Sequence, residues 1–278
     1  GGVIDTWLNL GASGFRLDVA DELPDSFIEK IRQAVKAHGA DKLLIGEVWE
    51  DATTKEAYGR RRTYLRGRGL DAVMNYPFRN AVLGYLSGES VASVCEQIMT
   101  ICEHYPPPAL NCLMNFLSTH DTERALTVIA GEPANGRDRY WQSGRRVPPG
   151  RVDEGLRKML LGYAMIYTLP GVPCVYYGDE IGMQVYRDPF NRAFFDWNST
   201  EERLRGPMKN LARLRKECDA FDGGRFEIVR AEGDVLHYRR VGKTQTAEII
   251  LNRGPHLLAE SAFGKSTEVN PGGFTVLV

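Results

Sequence analysis

The sequence predicts an α/β protein with a parallel sheet, followed by a small antiparallel β domain. Between residues 3 and 177, short apolar runs rich in branched side chains alternate with stretches of helical periodicity, which is the pattern of a parallel sheet. From Gly223 onward the apolar runs are short, alternate with polar residues and are separated by turn residues. The 278 residues suffice for one large domain and a small appendage.

Five runs are predicted as the parallel strands, and each precedes polar or glycine-bearing residues: Gly14–Val19, Leu43–Glu47, Asp71–Met74, Cys112–Ser118 and Val172–Tyr176. Helices are predicted over 24–38, 91–104, 151–169 and 204–218. In the first of them, the residues predicted to share the apolar face are Phe27, Ile31, Ala34 and Val35. The stretch Gly131–Gly150 is predicted as the one long irregular loop, of the kind that forms a lid or rim.

The second part is predicted to contain four short strands: Phe226–Val229, Val235–Arg239, Ala247–Leu251 and Phe274–Val278. Their alternation of apolar and polar residues predicts antiparallel pairing. The join is expected near Asp219–Gly224, which divides the chain into residues 1–219 and residues 220–278.

Composition and charge exclude several classes of protein. With 35 basic and 36 acidic residues the net charge is −1, so no field recruits nucleic acid, and the arginines between 60 and 68 are interpreted as a solvated face or as salt-bridge donors. The longest apolar stretch, Met159–Tyr177, contains glycine and proline and predicts no membrane span. Five scattered cysteines without a C-x-x-C pair favour free thiols and a reducing, cytoplasmic location. The first residues include no methionine, so we expect the chain to begin within a longer protein or after processing.

Carboxylates follow two of the predicted strands where burial makes a charge costly. Arg16 and Asp18 alternate in the first run, so both side chains point to one side, where the guanidinium can hold the carboxylate ionised. Glu47 ends the second run close to Trp49, and an apolar neighbour would favour the protonated form that a general acid needs.

A third carboxylate, Asp121, follows His120 after the fourth run. In parallel α/β barrels the active site is built from the carboxyl ends of several strands, so Asp18, Glu47 and Asp121 are expected to converge. A nucleophile, a proton donor and an anionic stabiliser are what glycosyl transfer through an oxocarbenium-like transition state requires. The alternative is that each acid caps a helix or joins an ion pair; it suits one acid better than all three.

Three strings, in this order, resemble signature regions of the α-amylase superfamily of glycoside hydrolases: Gly14-Phe-Arg-Leu-Asp-Val-Ala20, Gly46-Glu-Val-Trp49 and Phe116-Leu-Ser-Thr-His-Asp-Thr122. The resemblance implies that Asp18 is the nucleophile, Glu47 the acid/base and Asp121 the transition-state stabiliser. It also implies that Arg16 orients the nucleophile and that His120 hydrogen-bonds the sugar at the cleavage point.

Two further strings are similar to those of the neopullulanases and cyclomaltodextrinases within that superfamily: Asp21-Glu22-Leu23-Pro24 and Leu70-Asp-Ala-Val-Met-Asn-Tyr-Pro-Phe-Arg79. Asp188-Pro-Phe-Asn-Arg192 resembles a segment of the superfamily from which an Asp and an Arg reach further glucose units. They imply substrate contacts at Glu22, Val48, Trp49, Asp188 and Arg192, with Trp49 either a sugar platform or a packing residue.

The resemblance implies a partial (β/α)8 TIM barrel, strands four to eight, with a C-terminal sandwich-like β domain. It implies retaining hydrolysis of α-1,4 glucosidic bonds, with α-1,6 bonds as a further candidate, in maltodextrins, pullulan or cyclodextrins. Strands one to three would be missing, so we expect pairing with an N-terminal half or self-association. Alternatives are a transglycosylase or phosphorylase of the same fold, a non-catalytic member, or a fragment inactive alone. No cofactor is expected; a structural calcium is compatible with the resemblance, but its ligands are unknown.

Overall fold

The structure is a computed structural model that describes residues 2–278. Its α-helices lie along much of the chain. Their bounds are α1 Val3–Asn9, α2 Asp25–Lys36, α3 Tyr76–Ser87, α4 Val91–His104, α5 Pro107–Leu110, α6 Ala125–Ala130, α7 Arg139–Gly144, α8 Pro149–Thr168 and α9 Arg205–Glu217. The helix predicted over 91–104 has those bounds, because Val94, Ile98 and Ile101 form its buried stripe.

Five parallel strands lie in chain order and confirm the predicted parallel sheet: β1 Gly14–Leu17, β2 Leu43–Gly46, β3 Ala72–Val73, β4 Met114–Asn115 and β5 Val172–Pro173. The first three form one ladder and the last two another, and a parallel bridge from Met74 to Met114 connects them. Each strand is shorter than predicted, since the residues after it leave the ladder and turn into the loops of the same edge. Every carboxyl end therefore lies on that edge.

Asp71 connects this sheet to the helix that precedes β2. One carboxylate oxygen accepts from Arg32 at 2.7 Å, and the other lies 3.0 Å from Lys36 Nζ and accepts the Leu44 backbone N–H at 2.8 Å. Burial acts to raise the pKa of Asp71, but these donors outweigh it and leave the pKa below its usual value.

The apolar face predicted for α2 is wrong in one respect. Phe27 is half exposed, and Ile28 takes its place in the core together with Val35. The helix is rotated because Arg32 and Lys36 must face Asp71, and Ile28 and Val35, seven residues apart, lie on nearly the same side.

The C-terminal part is an antiparallel sheet, as predicted, with strands β6 Arg225–Glu232, β7 Val235–Val241, β8 Thr246–Asn252 and β11 Gly273–Leu277 in the order β11-β8-β7-β6. A hairpin, β9 Leu258–Ala262 with β10 Lys265–Val269, was not predicted. Its strands are largely polar, so the apolar alternation is weak. Phe263 and Gly264, both with positive φ, form its two-residue turn. The glycine of this turn was the sequence signal available for the hairpin.

The sheet and the helices share one hydrophobic core. Leu236, Tyr238 and Ile249 belong to the same buried cluster as Ile98 and Met165. The helix α9 ends at Glu217 and β6 begins at Arg225, on either side of the expected join. The division into residues 1–219 and 220–278 stays a prediction, since the two parts pack without a gap.

The predicted loop Gly131–Gly150 is not the irregular stretch expected. It contains the helix α7, whose cap Asp138 accepts the Trp141 backbone N–H at 2.8 Å, and the start of α8. A longer segment without α-helix or strand runs from residue 174 to residue 204.

Two smaller findings concern the membrane and the cysteines. Within residues 2–278, none of the helices combines the length and apolar character that crossing a bilayer requires. All five cysteines are free. The cytoplasmic location stays a prediction.

We expect Asp71→Asn to lower the free energy of unfolding at pH 7 by about 2 kcal/mol, because the neutral amide has one acceptor oxygen where the carboxylate offers two charged ones to three donors. The folded pKa lies below the unfolded one, so this stabilisation is present above about pH 4 and is lost as the pH falls further. Urea unfolding between pH 2 and pH 8 should show wild type and variant converging in acid. Asp41→Asn, at an exposed position, is the control; a pH-independent difference between wild type and Asp71→Asn would contradict the assignment.

Candidate active site

Arg16 joins the first two predicted acids. Asp18 follows β1 at once and Glu47 follows β2, and the two strands are neighbours in register. The Arg16 Nη1 lies 2.6 Å from Asp18 Oδ1, and its Nη2 lies 2.9 Å from Glu47 Oε2. One guanidinium therefore pairs with both carboxylates at the carboxyl edge of the sheet, through a hydrogen bond to Asp18 and through charge alone to Glu47.

The two carboxylates differ in access to solvent. The Asp18 side chain is 76% exposed, whereas that of Glu47 is 7% exposed. A group approaching from solvent meets Asp18 first, which suits attack on a bound substrate. Glu47 is largely shielded from solvent.

Backbone strain at Val19 completes the contacts of Glu47. Val19 has φ 43° and ψ 54°, a left-handed conformation that a β-branched residue rarely adopts. This conformation aims the Val19 N–H at Glu47 Oε2, at 2.9 Å. The strained residue lies between Asp18 and the turn that follows, where it also reverses the direction of the chain.

Trp49 contacts Glu47 through its polar atom, so the expected apolar neighbour is wrong. The indole Nε1 donates to Glu47 Oε1 at 3.0 Å. Its ring stacks on Tyr76, with centroids 4.1 Å apart and planes 12° apart, and 46% of the residue stays exposed. One face of the Trp49 ring thus packs against Tyr76, and the other is open to solvent.

Tyr76 was not predicted as a site residue. It is buried against Trp49 and against Phe116, whose ring lies edge-on at 4.9 Å. Burial raises the pKa of Tyr76 to about 12, and the charges of Glu47 and Asp121 act in the same direction. The charges of both acids therefore act on the Tyr76 hydroxyl. The available sequence signal was that Tyr76 follows Asn75, shortly after the end of β3.

Asp121 lies among basic groups from the turn after β4 and the segment after β5. His120 Nε2 is 3.1 Å from one of its oxygens, and Arg192 Nη2 is 3.7 Å from the other. Arg192 Nε also pairs with Asp188 at 2.6 Å. The structure brings together four predicted residues here, and each side chain is one third to one half exposed.

Two predicted substrate contacts lie elsewhere. Val48 is fully buried in the hydrophobic core, so its side chain cannot reach a ligand, and that prediction is wrong. Glu22 is exposed, and its carboxylate accepts a hydrogen bond from the Tyr58 hydroxyl, with no contact to Asp18, Glu47 or Asp121 among the hydrogen bonds of residues 2–278.

No group of three or more His, Cys, Asp or Glu side chains lies together as metal ligands in residues 2–278. Calcium stays a prediction that depends on other ligands.

Two acids at the ends of neighbouring parallel strands, paired with one guanidinium, are the arrangement of a class of α/β proteins that carry paired carboxylates at the carboxyl edge of a parallel sheet. The family described as alpha amylase, catalytic domain, matches residues 2–219. The chain belongs to this family, and it has the family's TIM-barrel-like fold with a sheet-rich C-terminal part.

Curated relatives have similar sequences. The chain is 34% identical over 246 residues to a cyclomaltodextrinase of Geobacillus thermopakistaniensis, covering 86% of this chain and 36% of the relative. It is 32% identical over 256 residues to neopullulanase 2 of Thermoactinomyces vulgaris, covering 89% of this chain and 38% of the relative. The chain thus spans little more than a third of each.

Among solved structures, the cyclic α-maltosyl-(1→6)-maltose hydrolase of Arthrobacter globiformis is similar, with a TM-score of 0.82 and 26% identity. The match covers 99% of this chain and 57% of that chain. That enzyme has also been solved in complex with its cyclic substrate and with maltose.

We expect Val19→Gly to raise the free energy of unfolding by about 1 kcal/mol. Relief of the left-handed strain, about 1–3 kcal/mol, exceeds the entropic cost of glycine, about 0.4–1 kcal/mol, and Val19 is 47% exposed, so little packing is lost. Urea unfolding measures the change. Val172→Gly, at a similarly exposed valine in β5, should instead lose stability; equal losses at both positions would show that Val19 is not strained.

Proposed function

We propose that this chain supplies the catalytic carboxylates of a retaining α-glucan hydrolase. Asp18 attacks the anomeric carbon, Glu47 protonates the glycosidic oxygen and later activates water, and Asp121 stabilises the positive charge of the transition state. The observation that carries this proposal is the Arg16 guanidinium between Asp18 and Glu47, at 2.6 and 2.9 Å.

Retention requires the two carboxyl groups to lie about 5–5.5 Å apart, close enough for direct attack without an intervening water. Contact of both with one planar guanidinium supports such a separation. Ionised Asp18 is the attacking form, and Arg16 pairs with it without covering the carboxylate, which stays largely exposed.

Glu47 accepts hydrogen bonds from Trp49 and from the Val19 backbone, and it pairs with Arg16. These donors suit the ionised carboxylate, which is the form that activates water in the second step. For the first step a proton must reach Glu47, and the glycosidic oxygen then takes it.

Substrates are proposed from the relatives. Their names include cyclomaltodextrinase, neopullulanase and amylopullulanase, so we propose maltodextrins, pullulan and cyclodextrins, with α-1,4 and α-1,6 bonds as targets. His120, Asp188 and Arg192 are the proposed sugar contacts beside Asp121, and Trp49 offers its open face as a platform for a sugar ring.

The complete active site needs more than this chain. Both β1 and β5 pair on one side only, and Val3, Trp7 and Leu10 of the first helical segment are more than half exposed. We propose that β1 to β5 are the last five strands of an eight-stranded barrel, and that a further segment or a second copy covers these edges. The chain alone is then inactive or nearly so.

Asp18→Asn in the complete protein should lower kcat on maltotriose and β-cyclodextrin by at least about 10³-fold, because the amide cannot form the glycosyl intermediate. Maltose binding, followed by calorimetry, should change little. Proton NMR of the first product of the wild type should show the α anomer. An inverted product, or an active Asp18→Asn variant, would contradict the mechanism; Asp41→Asn is the control. Larger products that outnumber hydrolysis products would indicate a transglycosylase instead.

A further inference from the structure

Asn191 lies in a short 3-10 turn, Phe190–Arg192, and its side chain is fully buried. Its single amide nitrogen, Nδ2, faces three backbone carbonyls of one turn. The distances are 2.7 Å to His120 O, 2.8 Å to Thr122 O and 3.4 Å to Thr119 O. Since one NH2 group has two protons, it satisfies the two nearer carbonyls, those of His120 and Thr122, whereas the Thr119 carbonyl also accepts from the Thr122 backbone N–H.

The turn that Asn191 holds has few bonds of its own. Thr119 and Thr122 exchange hydrogen bonds at 3.0 and 3.3 Å, and the Asp121 N–H donates to the Thr119 hydroxyl at 3.1 Å. All of them lie within four residues, so they fix the shape of the turn but not its place in the molecule. Asn191 supplies a contact between the backbone of the turn and a distant segment.

The segment that carries Asn191 is itself anchored. The Asn191 carbonyl accepts from Arg124 Nε at 3.1 Å. Arg124 is fully buried, stacks over Tyr176 at 4.2 Å and pairs with the buried Asp179 at 3.4 Å. This buried ion pair makes the anchor rigid, because neither charge can move without losing its partner.

We propose that Asn191 is a positioning residue for Asp121, which it holds at its distance from the reacting sugar through the carbonyls on either side. The proposal rests on the proposed function, since Asp121 is there the stabiliser of transition-state charge. Asn191 itself touches no substrate. The next residue, Arg192, reaches the Asp121 carboxylate, so one segment fixes both the backbone and the side chain of the stabiliser.

The chain offers a matched control in Asn252, at the end of β8. It is 3% exposed, and its Nδ2 also faces three backbone carbonyls, at 2.8, 3.2 and 3.3 Å, in the C-terminal sheet. Asn252→Ala should therefore cost similar stability without touching the active site.

Hydrogen exchange on this chain tests the contact without any assay of activity. In Asn191→Ala, the amides of residues 119–122 should exchange at least about tenfold faster, and in Asn252→Ala they should stay as in wild type. Asn191→Ser, which retains one donor, should lie between them and keeps the test open if the alanine variant fails to fold. Unchanged protection in a folded Asn191 variant would overturn the proposal.

Kinetics of the complete protein test the consequence. Asn191→Ala should lower kcat on maltotriose about 10- to 100-fold with KM nearly unchanged, because a displaced stabiliser acts on the transition state. It should also weaken binding of the basic sugar mimic 1-deoxynojirimycin more than binding of neutral maltose. Equal effects of Asn191→Ala and Asn252→Ala would show that Asn191 is merely structural.

Failure of this proposal is separable from failure of the proposed function. If wild type is active, loses activity in Asp18→Asn and tolerates Asn191→Ala, only the role of Asn191 is overturned. If the complete wild-type protein hydrolyses no glucan while hydrogen exchange still shows the contact, the proposed function fails; Asn191 then holds the turn, but the kinetic role assigned to it is overturned as well.

Discussion

Parallel pairing of five strands is the constraint on which the rest of the structure depends. Because all five run in one direction, their carboxyl ends lie on one edge, and every residue that follows a strand is delivered there. β3, β4 and β5 have only two ladder residues each, so the sheet does not hold this edge together alone. The turns after the strands must be fixed by side chains, and the site contains several that do so.

Two arginines fix those turns in different ways. Arg16 lies at the rim and pairs with two carboxylates, of which Asp18 is largely exposed, so the Arg16–Asp18 pair is solvated and costs little to keep. Arg124 is fully buried with Asp179, where an unpaired charge would be very costly and burial raises the pKa of Asp179. The buried pair resists movement, which makes it suited to an anchor. The exposed one can respond to a ligand.

Sequence reasoning found the strands and the acids after them because alternation and composition are local signals. It could not find Tyr76 or Asn191, whose positions depend on tertiary contacts with residues 27 and 71 places away along the chain. Val48 shows the converse error: its neighbours Glu47 and Trp49 both face the site, but Val48 itself points into the core because side chains alternate along extended backbone. Closeness in sequence to Glu47 therefore predicted that Val48 lies at the carboxyl edge of the sheet, but it did not predict the direction of the Val48 side chain.

Residues 191 and 192 show how one short segment serves two purposes. The Asn191 side chain is fully buried and bonded only to backbone, whereas the Arg192 side chain is 48% exposed and bonded to carboxylates. A buried amide keeps one geometry because any displacement leaves carbonyls without donors, whereas an exposed guanidinium can exchange a carboxylate for a sugar hydroxyl at small cost. Rigidity beneath the site and adaptability at its surface thus come from neighbouring residues, and the difference between them is access to water.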